Sequence, residues 1–86
     1  MMDVQKIRQD LLLYIRDHPG TEKWTVLKTV CPDCQKTGFI ILRELIEKGL
    51  VRVYYTHTET ETPNTRDVKF ALTLTTDGRV LAELIA

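Results

Sequence analysis

Much of the chemistry a chain can announce is missing from this one. Its 86 residues contain no glycine-rich phosphate loop, no paired carboxylates at a plausible cleft and no nucleophile beside an evident base. Nothing therefore points to an enzyme, and nothing calls for a cofactor. No apolar run approaches the ~20 residues of a membrane span, and the N-terminus, MMDVQKIRQD, has no apolar signal region. The expected location is the cytoplasm. No sign of charge is in excess: 12 basic and 12 acidic residues give a formal net charge of zero. Nucleic-acid binders usually carry a basic excess or a basic face, so any such reading must rest on where the charges lie. Cysteine is scarce, with two residues, half of what a tetrahedral metal site needs. Repeats, low-complexity segments and internal linkers are also lacking, which predicts one domain over residues 1–86. A chain this small hides only about 60–65% of the surface its unfolded form exposes, so every apolar stripe matters.

What is present is organised around residues 22–51, EKWTVLKTVCPDCQKTGFIILRELIEKGLV. This stretch reads as two helices joined by a tight turn. On a helical wheel begun at Asp33, Gly38, Ile41, Leu42, Leu45 and Ile46 share one side, with Phe39 at its edge. Lys36, Ile40, Arg43 and Glu47 lie opposite. One face is core and the other is an offered surface. The close, Glu47-Lys48-Gly49-Leu50, has the pattern of a helix end: a cation in the last turn, a glycine after it, then an apolar residue.

The flanking segments complete the pattern. A first helix is expected over Asp3 to Asp17, with Asp3 as cap and Val4, Ile7, Leu11, Tyr14 and Ile15 converging on one face. Leu12 falls on the flank of that stripe and Leu13 points away from it, which makes both candidates for a partner contact. His18-Pro19-Gly20 stops this helix. A short second helix follows over Thr21 to Val30, capped by Thr21, with Trp24, Leu27 and Val30 inward. Asp33 can cap the third helix. After Gly49 the period changes to two: Val51, Val53 and Tyr55, then Val68, Phe70, Leu72 and Leu74, alternate with polar or small neighbours. These are two strands of an antiparallel hairpin joined around Thr62-Pro63-Asn64. Asp77-Gly78 ends the second strand, and Arg79 to Ile85 forms a short apolar helix. The class is α+β.

Two local runs carry a family resemblance. Leu42 to Val51 fits the pattern LxxLxxxGLV, and Leu74 to Leu81, LTTDGRVL, fits LTxxGRxL. Both resemble the winged helix-turn-helix DNA-binding domains of small transcription regulators of the MarR and PadR type. The resemblance covers nearly the whole chain. It implies a three-helix helix-turn-helix core, a two-stranded antiparallel wing and a short C-terminal helix. It also implies double-stranded DNA as partner, with base-reading positions on the third helix at Gln35, Lys36, Thr37, Ile40 and Arg43. Lys36 and Arg43 would donate to guanine edges or phosphates, Gln35 would pair with adenine, and Ile40 would pack on a thymine methyl. Arg66 and Lys69 on the wing would reach a neighbouring groove, against the like-signed charge of Glu59, Glu61 and Asp67. Symmetric operators imply a homodimer, with Leu12, Leu13 and residues Val80 to Ile85 as candidate interface.

Two other readings stay open. A winged helix can instead dock a protein partner, here through Phe39, Ile40 and the acidic wing. The second concerns Cys31-Pro32-Asp33-Cys34, a CxxC in the turn before the third helix. Its plain reading is two structural thiols in a reducing cytoplasm. Its sharper reading is a redox or metal switch, in which further ligands would come from His18, His57, an acidic residue or a second subunit.

Overall fold

The computed structural model describes residues 3–59 and 66–85, and side chains for 3–54 and 70–85. Among them the elements run α1 (Val4–Asp17), β1 (Thr21–Glu22), α2 (Lys23–Val30), α3 (Gln35–Glu47), β2 (Val51–Glu59), β3 (Arg66–Leu74) and α4 (Thr76–Ile85). The connection around Thr62-Pro63-Asn64 lies outside the described residues.

The helices begin where side chains satisfy their free N–H groups. The Asp3 carboxylate accepts from the Lys6 N–H at 3.2 Å and fixes the start of α1. At α2 the cap is Glu22, not Thr21: its carboxylate accepts from the N–H groups of Trp24 (3.2 Å) and Thr25 (3.3 Å). Thr21 lies one residue earlier, paired with Leu72 in β1, and its hydroxyl donates to the His18 carbonyl at 2.7 Å. At α3 the expected Asp33 cap is absent. Cys34 occupies the N-cap position and makes no side-chain capping bond, so the first turn of α3 is the least firmly held helix start in this part of the fold.

Helix α3 ends as its sequence pattern predicts. The Leu50 N–H donates to the Leu45 carbonyl at 2.9 Å and the Gly49 N–H to that of Ile46 at 3.0 Å. This crossed pair is the Schellman arrangement, which needs a left-handed residue, and Gly49 supplies it at φ 74°. The chain then passes straight into β2.

Among the described residues the sheet has three strands in the order β1-β3-β2, one more than the two-stranded wing expected. Strands β2 and β3 are antiparallel, with Val51 opposite Leu74 and Val53 opposite Leu72; these four residues share the core-facing side. The alternation holds only as far as the core reaches. Phe70, two residues further along β3, is 37% exposed, while Ala71 on the opposite face is buried. Ala71 is flanked in register by Glu22 and Tyr54, whose larger side chains stand on the same face.

One apolar core joins the helices to the sheet. Leu11, Leu12 and Ile15 of α1, Val26 and Leu27 of α2, Ile41, Leu42 and Leu45 of α3, Val51, Leu72 and Leu74 of the sheet, and Ala82 of α4 are all buried in it. Each large member contributes about 1.5–3 kcal/mol by leaving water. Among the described residues no polar or charged side chain is buried. Three expectations are corrected here. Leu12 is fully buried and cannot be an interface residue; Leu13 is half-buried and packs against the core. Trp24 is 45% exposed, because α2 turns Val26, Leu27 and Val30 inward and leaves residue 24 on its flank.

The last correction concerns Gly78, which lies inside α4 and does not terminate a strand. Thr75 starts that helix: its hydroxyl accepts from the Gly78 N–H at 3.1 Å and donates to the Gly49 carbonyl at 2.6 Å. The Thr75 N–H also donates to the Leu50 carbonyl at 3.1 Å. A Cβ at residue 78 would collide with that same Leu50 carbonyl. Glycine is there so that α4 can lie directly on the exit from α3.

Candidate nucleic-acid interface

The surface in question is the face of α3 turned away from the core. Gly38, Ile41, Leu42 and Leu45 are buried on one side. That leaves Lys36, Ile40, Arg43 and Glu47 in solvent on the other, with Ile40 at 58% exposure. Of the expected base-reading residues, Lys36, Ile40 and Arg43 stand on this open face, whereas Gln35 and Thr37 are half-buried at its N-terminal end. Arg66 and Lys69 are on β3, paired in register with Glu59 and Thr56, and their side chains lie outside the described ones.

Charge on this helix is arranged more favourably than the neutral total suggests. Its two acidic residues are both engaged by arginines: Glu44 by Arg8 of α1 at 3.6 Å, and Glu47 by Arg43 at 3.3 Å. Arg8 is itself steadied by the Gln5 side chain at 2.7 Å, so the first pair ties α1 to α3. Lys36 has no ion-pair partner among the described residues. The Arg43–Glu47 pair is solvent-exposed, at 73% and 64% for its side chains, and has the less favourable order for an i,i+4 pair, cation before anion. Such a pair is worth roughly 0.3–0.5 kcal/mol, so Arg43 is easily released to another acceptor.

Beside this face is a cluster that sequence reasoning missed. Both phenylalanines and the only tryptophan of the chain gather around one ammonium. Lys23 Nζ lies 4.9 Å from the ring centre of Trp24, 5.1 Å from that of Phe39 and 5.0 Å from that of Phe70. The Trp24 and Phe39 rings are stacked, 5.9 Å apart and 11° from parallel. Each cation–ring contact at a partly exposed site is worth about 0.5–1 kcal/mol. The cluster links the first turn of α2, the middle of α3 and β3, and so helps set the angle at which α3 is presented. Its only advance signal was Phe39, placed at the edge of the apolar face.

The cysteines sit at the joint. Cys31 is the C-cap of α2 and Cys34 the N-cap of α3. The Cys34 N–H donates to the Cys31 carbonyl at 3.2 Å. Cys31 is buried, and Gly38 packs so closely on its sulfur that a Cβ there would overlap it. Burial, with the neighbouring Cys34 thiol, pushes the Cys31 thiol up to about 11. The two cysteines are unbridged. Among the described residues, no group of three or more His, Cys, Asp or Glu side chains is placed to hold a metal ion, so the candidate metal reading of Cys31 and Cys34 finds no third ligand there. Nor is any helix among the described residues long and apolar enough to cross a membrane.

No protein-family model matches the chain, and no curated protein matches it in sequence. Solved structures do match. F-93 of SSV1 superposes with a TM-score of 0.67 at 21% identity, over 92% of this chain and 80% of F-93. Streptococcus pneumoniae FabT, solved in complex with DNA, gives 0.64 at 21% identity over 90% of this chain. Pex from Synechococcus sp. (strain PCC 7942) gives 0.58 at 15% identity, covering 98% of this chain and 80% of Pex. The chain spans about half the length of FabT, at 48%. At these identities the likeness is one of fold, and the fold is the winged helix-turn-helix.

Proposed function

We propose, starting from a winged helix-turn-helix scaffold, that this chain binds double-stranded DNA as a transcription regulator in the cytoplasm, with α3 in the major groove. The observation that carries the reading is α3 itself: a helix sealed into the core on one side that offers Lys36, Ile40 and a loosely held Arg43 on the other. Lys36 and Arg43 supply donors for guanine edges or phosphates, and Ile40 a surface for a thymine methyl. Gln35 and Thr37, half-buried at the start of the helix, would add adjacent contacts in this reading. FabT, similar in fold, is a structure of a DNA complex, which supports the same use of the scaffold. In this reading the chain acts by binding, with no bond made or broken.

The working unit in this proposal is a homodimer. One subunit offers only three cations along α3 and its end, Lys36, Arg43 and Lys48, against Glu44 and Glu47, and two half-sites double that contact. Its interface is on α4, where Val80 (54% exposed) and Leu84 (78%) form an apolar i,i+4 stripe in solvent.

Fluorescence anisotropy of a labelled duplex, titrated with protein at rising salt, tests the reading. Each phosphate neutralised contributes about 0.9 to the slope of log affinity against log salt, so a slope near 4 or steeper is expected for a dimer. Absence of binding even at about 50 mM salt, where charges are screened less than at physiological ionic strength, would refute it. A protein-docking role is favoured by one observation, the exposed apolar run of Trp24, Phe39 and Ile40. It predicts salt-insensitive capture of a protein partner that is lost on Ile40→Asp.

A further inference from the structure

We propose that Cys34 is a site of two-electron oxidation, and that Cys31 closes it into a disulfide across the α2–α3 turn which weakens DNA binding by α3. The second half of this proposal rests on the DNA-binding reading above; the first half does not.

The two sulfurs differ in access. Cys34 is half-buried and lines an open surface cleft with Pro32, Asp33, Gln35, Lys36 and Thr37. A small oxidant reaching it arrives beside the residues assigned to the groove. Cys31 is 3% exposed and only borders a second surface cleft, one that Cys34 lines as well. The two thiols are near enough that Cys34 adds to burial in raising the Cys31 pKa. The turn between them is closed by the Cys34 N–H to Cys31 carbonyl bond, which keeps the two Cα atoms within about 7 Å, at the limit that a disulfide spans without moving the backbone.

With hydrogen peroxide as oxidant the chemistry balances. The Cys34 sulfur attacks one peroxide oxygen, the O–O bond breaks, and the departing oxygen leaves as water, giving a sulfenic acid. The Cys31 sulfur then attacks the Cys34 sulfur, the S–O bond breaks, and a second water leaves with the Cys31 proton. The two thiols lose two electrons and two protons, and the peroxide becomes two waters. Cys31, its pKa raised by burial, is a poor nucleophile towards peroxide; in the second step it loses its proton to the departing oxygen, and the turn bond keeps Cys34 beside it.

The mechanical consequence follows from what each sulfur touches. Cys31 Sγ fills the space against Leu27 and Gly38 where α2 and α3 meet. Drawing it to the ~2.05 Å of an S–S bond withdraws it from that contact. The strain falls on the first turn of α3, which has no side-chain cap to hold it, and that turn carries Gln35, Lys36 and Thr37.

The test treats the reduced full chain with hydrogen peroxide and follows four readouts: intact mass, trapping of sulfenic acid by dimedone, amide shifts by NMR, and duplex affinity. The wild type should lose two hydrogens, take up no dimedone, shift its amides at 31–38, and bind DNA about tenfold more weakly, with all four changes undone by dithiothreitol. Cys31→Ala should retain a sulfenic acid that dimedone traps, and Cys34→Ala should be inert. Failure of the wild type to lose hydrogens, or reaction of Cys34→Ala at the wild-type rate, would overturn the site. Disulfide formation with unchanged affinity would overturn the switch. Reduced protein that binds no duplex at all would instead refute the DNA reading, leaving mass, trapping and amide shifts to judge the disulfide.

Discussion

Replacing Gly38 by alanine probes the joint on which the presentation of α3 depends. In an exposed helix interior this change stabilises by about 1 kcal/mol, since alanine loses less backbone freedom than glycine. Here the new methyl would occupy the space of Cys31 Sγ and lie 3.1 Å from a Leu27 methyl. Leu27 is fully buried and Cys31 nearly so, so either must shift against packed neighbours to admit the methyl. Overpacking of this kind costs about 1–3 kcal/mol, so the net expectation is a loss of about 1 kcal/mol. Cys31→Ala alone should also lose about 1 kcal/mol through the small void it leaves. The double variant should not lose both amounts, because the methyl at 38 fills the space the sulfur vacates. A coupling of about 2–3 kcal/mol between the two sites is the quantity to measure. Urea melts of the four proteins in reducing buffer, followed by circular dichroism, give it directly. In thermal melts 1 kcal/mol corresponds to about 4–8 °C for a domain of this size. Additive losses, or a Gly38→Ala protein more stable than wild type by the full propensity gain, would refute the close α2–α3 contact.

Glu47→Ala frees Arg43 and removes a negative charge from the offered face of α3. Duplex affinity should rise about threefold, near the ~0.5 kcal/mol of an exposed ion pair, and an unchanged or lower affinity would count against Arg43 as a contact. Exchange of both Val80 and Leu84 for serine should convert a sedimenting dimer to monomer while leaving the fold intact by circular dichroism; a wild type that sediments as a monomer throughout would remove α4 as an interface. Alkaline titration gives a third check. The Cys31 thiol is raised from an ordinary 9.0 to about 11, so the unfolded chain releases its proton first and stability should fall as pH rises from 9 towards 11. Cys31→Ala should lack that component of the alkaline loss, and identical pH curves for the two proteins would show the thiol to be unperturbed.

The outline of this fold is legible in the sequence wherever local rules act alone. The period of α3 separates Gly38, Ile41, Leu42 and Leu45 from Lys36, Ile40 and Arg43 because a helix places residues three and four apart on one side whatever surrounds it. Gly49 marks the end of that helix because a left-handed residue is required there, and the alternation from Val51 and up to Leu74 announces strands. What the sequence left undecided depends on neighbours distant in the chain. Thr21 and Glu22 form a third strand only because β3 lies within reach, and Glu22 then becomes the cap in place of Thr21. Trp24 and Phe70, apolar enough to be taken for core, lie outside it because the core has room only for Val26, Leu27 and Leu72. They find each other, Phe39 and the Lys23 ammonium at the surface. Leu12 is drawn into a core that surrounds α1 on more sides than a single stripe supplies. Gly38 and Gly78 share the residue type of Gly49 for another reason: each marks a close approach, to a sulfur and to a backbone carbonyl. Residue identity states what conformations a position permits, but which permitted approach is used is decided only when the elements pack.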